Sequence, residues 1–395
     1  MPCPFRFGHT PFIMYLAFLN AFVPISTDLY LAALPGMTQV FSCPRWLVDL
    51  TISGFMLFFA LSMLVWGPLS DRYGRRPVLA AGLALYAAAS VLCLSSVNIH
   101  MLVGGRALQA IGSGAVCSVS MAVVKDVFRG RTVETALVWM QTMSTLAPVL
   151  APVLGAALLG LTSWRGLFAA LLVCSLVGLA LLPALGETLR EPVKGNCFAA
   201  LGRVGVVLKN PALGRLLLLF SVSLMPFMAY LTSSAFIYID FFGLTEQHFS
   251  FFFAANAFFS MLGPLAYVRF FRAFSRRVFL ILVFAAMTAS GLGLLIAGET
   301  GPVYFLALYL PLTFFSAASR PVATLLMLSQ QDTDNGTVSA LIGCGGLMCG
   351  SLAMMLCSLP FSGPVLPVAG MAAGIGAFCL VLWLIIDGGK LYRAP

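Results

Sequence analysis

Long apolar runs separated by short polar loops constrain this chain more than any other feature of its sequence. A helix needs about 20 mainly apolar residues to cross the hydrocarbon core of a bilayer. Such runs lie near residues 11–33, 46–69, 77–97, 100–124, 134–160, 164–185, 214–240, 247–270, 277–297, 301–329, 335–359 and 363–387. A chain of 395 residues that is 61% hydrophobic and only 9% charged cannot hide this much apolar surface in a soluble fold. We therefore predict an all-α integral membrane protein with twelve transmembrane helices.

The basic residues collect in the loops on one side of the predicted helices, together with the two chain ends. The other side holds only Arg45 and Arg165 in its loops. Because Lys and Arg are retained on the cytoplasmic side, this asymmetry places both termini in the cytoplasm. The net charge of +9 then reflects topology, and we expect lipid around the protein and no nucleic-acid partner.

The sequence predicts two copies of a six-helix bundle. Residues 1–185 form the first, 214–395 form the second, and the more polar stretch 186–213 is a cytoplasmic linker at the membrane surface. Gly67-Pro68-Leu69 recurs as Gly263-Pro264-Leu265, and the pair Arg75-Arg76 recurs as Arg276-Arg277, each at the same place in its half. Such repeats are typical of transporters built by duplication.

Four motifs carry a resemblance to a known family. The loop GPLSDRYGRRPVL (67–79) resembles the GxLxDRxGRR signature of the major facilitator superfamily. RALQAIGSG (106–114) is similar to the helix-four signature of its proton-coupled exporters, with Ala110 replacing a glycine. APVLAPVLGAAL (147–158) is similar to their helix-five antiporter motif, and STDLYLAALP (26–35) resembles the first helix of bicyclomycin and chloramphenicol resistance exporters.

The resemblance implies a drug:proton antiporter that works by alternating access. Its substrates would be small hydrophobic or amphipathic compounds, the proton gradient would be its energy source, and it would need no cofactor or metal. Asp28 and Arg106 would couple transport to protons. The conformational switch would comprise Gly67, Asp71, Arg72, Gly74, Arg75, Arg76, Pro148, Pro152 and Gly155.

Asp28 is the first candidate because a carboxylate inside a membrane span costs about 2.5 to 3.5 kcal/mol on insertion scales and usually has a task. It could take up a proton on one side and release it on the other. The alternative is that Asp28 caps a break before Pro35. Relatives that export cations often carry a second acid two turns earlier, where this chain has Asn20.

Arg106 is equally costly if it lies deep, since a guanidinium stays charged. In relatives the helix-four arginine tunes the proton-carrying acid, and Gln109 lies one turn along the same face. The alternative is that Arg106 extends to the headgroups at the outer surface.

Arg320, in the middle of the tenth run, has three readings: it neutralises an anionic substrate, it pairs with Asp240, or it lies at the cytoplasmic end of its helix. Aromatic residues mixed with hydroxyls suit a cavity for apolar compounds, although most such rings face lipid or neighbouring helices. The candidate cavity residues are Asn20, Tyr30, Gln109, Met140, Phe227, Tyr230, Asn256 and Arg320.

Pro148, Pro152 and Gly155 lie along one face of the fifth predicted helix. They favour either a kink and close packing against the eighth helix or ordinary membrane-helix packing. Tyr267 stands where Asp71 would recur, so we expect the first copy alone to act as the latch on the cytoplasmic side.

Enzyme motifs are missing: the sequence has no HExxH, GxSxG or GxxxxGK[ST]. We expect a monomeric transporter that is not an enzyme. Two alternatives stay open, an exporter of a specific endogenous metabolite such as a metallophore, a sugar or an amino-acid derivative, and a membrane receptor or scaffold that does not transport.

Overall fold

The computed structural model describes residues 8–128, 131–189, 205, 209–331, 335–361, 363–389 and 391–392. It is almost entirely helical, because a backbone in lipid must satisfy its hydrogen bonds within its own segment. Within the described residues, eleven helices are long and apolar enough to cross a membrane, and the broken helix at the start of the chain makes twelve. The predicted fold class is confirmed.

Two compact units divide the chain, Met1–Leu201 and Gly202–Pro395. Most of the predicted linker 186–213 lies outside the described residues. Its first residues, 186–189, have no regular secondary structure, residue 205 is helical, and a further helix begins at Pro211.

The first unit holds eight helices. They are α1 (His9–Asn20), α2 (Phe22–Asp28), α3 (Leu34–Val40), α4 (Arg45–Tyr73), α5 (Arg75–Leu94), α6 (Ile99–Val127), α7 (Arg131–Leu161) and α8 (Trp164–Leu181). Helix α6 packs along both α4 and α5, and α7 packs against α1 and α2. The side chains of α6 are therefore the ones most enclosed by neighbours.

The first span differs from the unbroken helix predicted over residues 11–33. It consists of α1, α2, a 3-10 turn at Leu31–Ala33 and α3, and the pieces before and after residue 21 are bent by 41°. Pro24 lies in α2 and Pro35 in the first turn of α3. Because proline lacks the amide hydrogen that a continuous helix needs, the span bends and continues to Val40.

From Pro211 onward, the described part of the second unit holds seven α-helices. They are α9 (Pro211–Ser223), α10 (Met225–Ala235), α11 (Glu246–Arg269), α12 (Arg276–Ala297), α13 (Pro302–Leu328), α14 (Asn335–Cys357) and α15 (Val365–Gly388). Helices α9 and α10, with a π-helical turn at Phe236–Phe241, together make one span. Helix α12 packs on α13 and α15, and α14 packs on α9 and α10.

Candidate functional site

We call residues 21–33, from the 41° change of direction at residue 21 to the end of the 3-10 turn, the bend of the first span. Asp28, the last residue of α2, lies within it. It is 4% exposed, and its Oδ1 accepts a hydrogen bond of 3.1 Å from Thr27 Oγ1. No side chain caps the 3-10 turn or α3, so Asp28 does not cap the break before Pro35. Among the described residues, Asp28 has no cationic partner.

Arg106 lies about two turns inside α6 and is fully buried. Its Nη1 donates to Ser26 Oγ (3.0 Å) and Gln109 Oε1 (2.9 Å), and its Nε donates to the carbonyl oxygen of Thr51 (3.3 Å). The guanidinium carbon also lies 4.3 Å from the ring centre of Phe55. These contacts hold the charge inside the first unit, so the side chain does not reach a surface at the end of α6.

One donor of this guanidinium is unused. Arg106 Nη2 is buried and has no hydrogen-bond partner. Its neighbour Ser26 is two residues before Asp28 on α2, yet the structure forms no ion pair between Asp28 and Arg106. The two predicted coupling residues are therefore connected through Ser26, two residues before Asp28, and make no direct ion pair.

A chain of polar groups extends from Arg106 toward α5. Gln109 Nε2 donates to Ser90 Oγ (2.8 Å), and Tyr86 Oη donates to Ser26 Oγ (2.8 Å). All of these residues are buried. Buried hydrogen-bonded chains of this kind fix side-chain positions, because each unpaired member would be costly.

Tyr30 lies close to Arg106, whose guanidinium carbon is 5.5 Å from the tyrosine ring centre. The ring also packs against Phe168, with ring centres 5.3 Å apart. Asn20 joins the first span to α7: its Nδ2 donates to Ser144 Oγ (2.6 Å) and to the carbonyl oxygen of Met140 (3.4 Å).

Helix α7 crosses Pro148 and Pro152 without interruption. Gly155 faces the bend of the first span, where a Cβ atom would overlap the carbonyl oxygen of Leu29, the residue after Asp28. Within the first unit, the partner of this glycine is thus the backbone next to the buried acid.

The turn between α4 and α5 is held by Glu187, an acid from a distant part of the sequence. Gly74 has a φ of 101°, a conformation that favours glycine. Glu187 accepts hydrogen bonds from the backbone amides of Arg75 (2.9 Å) and Arg76 (3.1 Å), and so places a negative charge at the start of α5.

The side chain of Arg75 ties three helices together at this turn. It pairs with Asp71 at the end of α4 (2.6 Å) and with Asp126 at the end of α6 (2.8 Å), and it donates to Ser70 Oγ (2.6 Å). The remaining residues of the predicted switch loop, Gly67 and Arg72, lie on α4, and the guanidinium of Arg72 lies 5.4 Å from the ring centre of Tyr73.

A cavity of about 350 Å³ lies within the second unit, between α9, α10, α13 and α14. Arg320 lines it, and its guanidinium carbon lies 5.3 Å from the ring centre of Phe227. The structure does not pair Arg320 with Asp240; among the described residues, Phe227 is the contact of its charged group.

Tyr230 and Asn256 are buried elsewhere in the second unit and do not line this cavity. Tyr230 stacks on Tyr309 with ring centres 4.4 Å apart. The Oδ1 atom of Asn256 is buried without a partner. The predicted cavity residues are therefore distributed over several places within the two units.

Sequence reasoning missed three acids. Asp49 of α4 is fully buried, pairs with Arg45 (3.2 Å) and leaves its Oδ1 without a partner. It could have been found by the criterion that singled out Asp28, a carboxylate inside an apolar run. Glu187 and Asp126 gave no such signal, because they end spans and meet Arg75 only in three dimensions.

A multi-pass helical protein with charged side chains buried inside its bundles has the architecture of a membrane transporter. The chain belongs to the major facilitator superfamily, whose sequence profile matches residues 16–353. Its fold and family are those of transporters and not of enzymes.

The curated relatives include proteins named for chloramphenicol and multidrug resistance. An uncharacterized MFS-type transporter of Bacillus subtilis, YdgK, is 28% identical over 344 residues, which cover 85% of this chain and 86% of that protein. A chloramphenicol resistance protein of Pseudomonas aeruginosa is 30% identical over 166 residues, covering 42% of this chain and 39% of the relative. The multidrug resistance protein MdtL of Escherichia coli is 31% identical over 159 residues, 40% of each chain.

Solved structures share the fold at low identity. A peptide transporter crystallised with sulfate has a TM-score of 0.75 and 16% identity over 98% of this chain and 97% of that chain. A D-xylose-proton symporter has a TM-score of 0.72 and 15% identity over 94% of this chain and 97% of that chain. The resemblance to chloramphenicol resistance and multidrug exporters is confirmed at the level of the family.

Proposed function

We propose that this protein exports small hydrophobic or amphipathic compounds across a bacterial inner membrane in exchange for protons, as a multidrug exporter. The main support for this proposal is the environment of Asp28. Its carboxyl group is buried at a bend of a membrane span and has no cationic partner among the described residues. Two relatives named for chloramphenicol and multidrug resistance support the direction of transport and the kind of substrate.

In this mechanism Asp28 holds the proton and Arg106 responds to its loss. A neutral carboxyl group is tolerated in apolar surroundings, whereas an ionised one needs water or a hydrogen-bonded cation. The unused Nη2 of Arg106 is a donor that an ionised Asp28 could recruit, since Ser26 already joins the two residues. Recruitment requires the bend of the first span to move, which couples the proton to a conformational change.

The two bundles, residues 1–185 and 214–395, would alternate access around the linker 186–213, with both termini in the cytoplasm. The contacts of Arg75 with Asp71 and Asp126 support a role for the α4–α5 turn as the switch. The protein would work as a monomer, because the whole cycle needs only these two bundles.

The test measures proton-driven transport by the full chain in proteoliposomes. Compounds would come from a toxicity panel that includes chloramphenicol, run on cells making the protein with and without a protonophore. Asp28→Asn should abolish the transport that an imposed pH gradient drives, while the melting temperature stays near that of the wild type. Glu246→Gln, which neutralises an exposed acid at the start of α11, is the matched control and should transport normally.

Unchanged gradient-driven transport by Asp28→Asn would remove Asp28 from the mechanism. Transport that ignores the gradient in the wild type would reject antiport. If no compound moves at all, the receptor or scaffold alternative would be favoured.

A further inference from the structure

We propose that the cavity lined by Arg320 binds the anionic group of the exported compound, so that the preferred substrates are amphipathic carboxylates. The inference rests on the proposed export function and names its substrate class. It depends on four observations: an unpaired guanidinium, free hydroxyl groups beside it, an apolar remainder of the cavity and the lack of any acid in the lining.

The guanidinium of Arg320 is available to a ligand. It lies on α13, eight residues before the end of that helix at Leu328 and hence about 12 Å from it. Among the described residues it has no hydrogen-bond acceptor and no carboxylate, and its charged group meets only the face of Phe227. Arg320 is exposed to this cavity and has no carboxylate partner within a membrane span, so its guanidinium is accessible to an anionic ligand.

Hydroxyl groups around Arg320 add donors for the same anion. Ser221 of α9 and Ser316 of α13 line the cavity, and their hydroxyls make no hydrogen bond within the described part of the chain. Ser319, by contrast, already donates to the carbonyl oxygen of Ser316 (2.7 Å). Two free hydroxyls and a planar guanidinium are suited to a carboxylate, whose two oxygens accept a pair of parallel hydrogen bonds from arginine.

The rest of the lining is apolar and adaptable. Leu224, Met228, Met327 and Leu347 form much of it. Methionine side chains adjust to ligands of different shape, and a volume of about 350 Å³ is within the range of small-molecule pockets. The cavity therefore fits a compound with an apolar body and one charged group.

The charge balance selects anions over cations. Among the described residues of the lining, Arg320 is the only charged one, and none is Asp or Glu. A cationic compound would meet an uncompensated positive charge in surroundings of low dielectric constant, where repulsion is strong. A neutral compound would leave the guanidinium unsatisfied.

The experiment compares two fluorescent probes that differ only in charge, dansyl-glycine and its neutral amide, dansyl-glycinamide. Binding to the full chain in phosphatidylcholine nanodiscs is followed by dansyl fluorescence, with no proton gradient. Wild-type protein should bind the carboxylate about 10 to 100 times more tightly than the amide, the range expected for a hydrogen bond to a charged group. Arg320→Gln should reduce carboxylate binding to the level of the amide and leave amide binding unchanged.

Two further variants locate the probe. Arg215→Gln removes the same charge from an exposed position on α9 outside the cavity and should bind both probes like the wild type. Gly343→Leu introduces a side chain into the cavity lining, where a Cβ atom meets no neighbour within 4 Å, and should weaken both probes. Nanodiscs in which phosphatidylglycerol replaces part of the lipid should give the same affinities.

Equal binding of the two probes by the wild type, absence of binding included, would overturn the proposal. Equal losses of both probes in Arg320→Gln, or normal binding by Gly343→Leu, would also overturn it. Displacement of the carboxylate by phosphatidylglycerol would overturn it too, because the cavity would then be assigned to a lipid headgroup. Because binding needs no gradient, failure here leaves the Asp28 test intact, and failure of proton-driven transport leaves this result intact.

Discussion

Arg106 illustrates at the scale of one residue why a charge can be kept inside a membrane bundle. Its guanidinium has a serine hydroxyl, a glutamine carbonyl and a backbone carbonyl as acceptors, and the face of Phe55 beside it. Nη1 donates to two of these acceptors and Nε donates to the third. The planar guanidinium holds its donors in fixed positions and bonds to all three acceptors at once, which a single ammonium group cannot do.

We therefore predict that Arg106→Lys loses function although it keeps the charge. Lysine should leave at least one of the acceptors on Ser26, Gln109 or Thr51 unpaired, at a cost of about 1 to 3 kcal/mol. We expect transport to fall at least about tenfold, since 1.4 kcal/mol corresponds to that factor, and the melting temperature in detergent to fall. Arg215→Lys, an exposed exchange on α9, is the control and should change neither. Wild-type transport by Arg106→Lys would mean that charge alone suffices.

The sequence predicted part of this environment. Arg106 and Gln109 lie one turn apart on a helix, and they are bonded in the structure. Ser26 could not be assigned in this way, because it is 80 residues from Arg106 and its hydroxyl has no feature that distinguishes it from other serines in apolar runs. Residue pairs within a helix follow from periodicity, whereas pairs between helices depend on packing.

At the scale of elements, the buried acid of the first unit lies where the bend of the first span meets α7. Asp28 ends α2, and the backbone of the next residue, Leu29, lies directly against Gly155 of α7. Asn20 is bonded to Ser144 on the same helix. The position of the buried acid thus depends on how closely α7 approaches.

Gly155→Ala should therefore disturb the bend without touching Asp28 itself. The added methyl group would overlap the carbonyl oxygen of Leu29, and backbone on both sides leaves little room to yield. We expect a loss of stability of about 1 to 3 kcal/mol, as for overpacked sites, seen as a lower melting temperature together with slower gradient-driven transport.

The matched control is Gly104→Ala on α6, where a Cβ atom meets nothing within 4 Å. Alanine should be neutral or up to about 1 kcal/mol stabilising there, because it favours the helix. If Gly155→Ala behaved like Gly104→Ala, close contact between α7 and the bend would have no part in function.

Hydropathy predicted most spans to within a few residues, because length and apolar content are what a bilayer requires. It failed at the first span, which runs from α1 to α3 with a bend of 41° and not as one helix over 11–33. A hydropathy window averages over Pro24 and Pro35 and carries no information about the direction of the helix axis. The cavity of the second unit was likewise only partly predictable: Arg320 was a candidate, but its free serine neighbours were not.

At the scale of the whole molecule, the internal repeat extends further than the sequence indicated. In the first unit the pair Arg75-Arg76 opens α5 and its amides bind Glu187, which follows α8. In the second unit Arg277 near the start of α12 pairs with Asp387 of α15 (3.2 Å). Each unit thus links the start of its third span to an acid at or after the end of its sixth. This link was not predicted, because each acid meets its partner only through the packing of the helices.

The second copy adds a tyrosine to this link. Tyr392 donates a hydrogen bond to Asp387 (2.9 Å), and burial, followed by that bond, raises the pKa of Tyr392 to about 12. A raised pKa means that the stabilising neutral phenol is fully present below its usual value near 10 and lost only above about 12. The hydrogen bond between Tyr392 and Asp387 is therefore independent of pH in the neutral range.

The uneven distribution of Lys and Arg predicts how the whole molecule is oriented in the membrane. Loops on the side of Arg72 and Arg269 are basic, whereas the α5–α6 loop around Val97 is not. Both Val97 and Phe270, just after α11, are exposed, at 78% and 67%, so cysteines placed there can be labelled. In a variant whose ten native cysteines are replaced, we expect Val97→Cys to react in intact cells with a maleimide that cannot cross the membrane.

Phe270→Cys should react only after the cells are permeabilised, because its loop belongs to the basic side. The two variants serve as controls for each other, since each must be labelled under one condition and protected under the other, and both must be equally reactive in detergent. Labelling of Phe270→Cys from outside, with Val97→Cys protected, would invert the proposed topology. An antiporter would still exchange protons for substrate in that orientation, because the gradient and not the orientation sets the direction of exchange, so this experiment tests the topology alone.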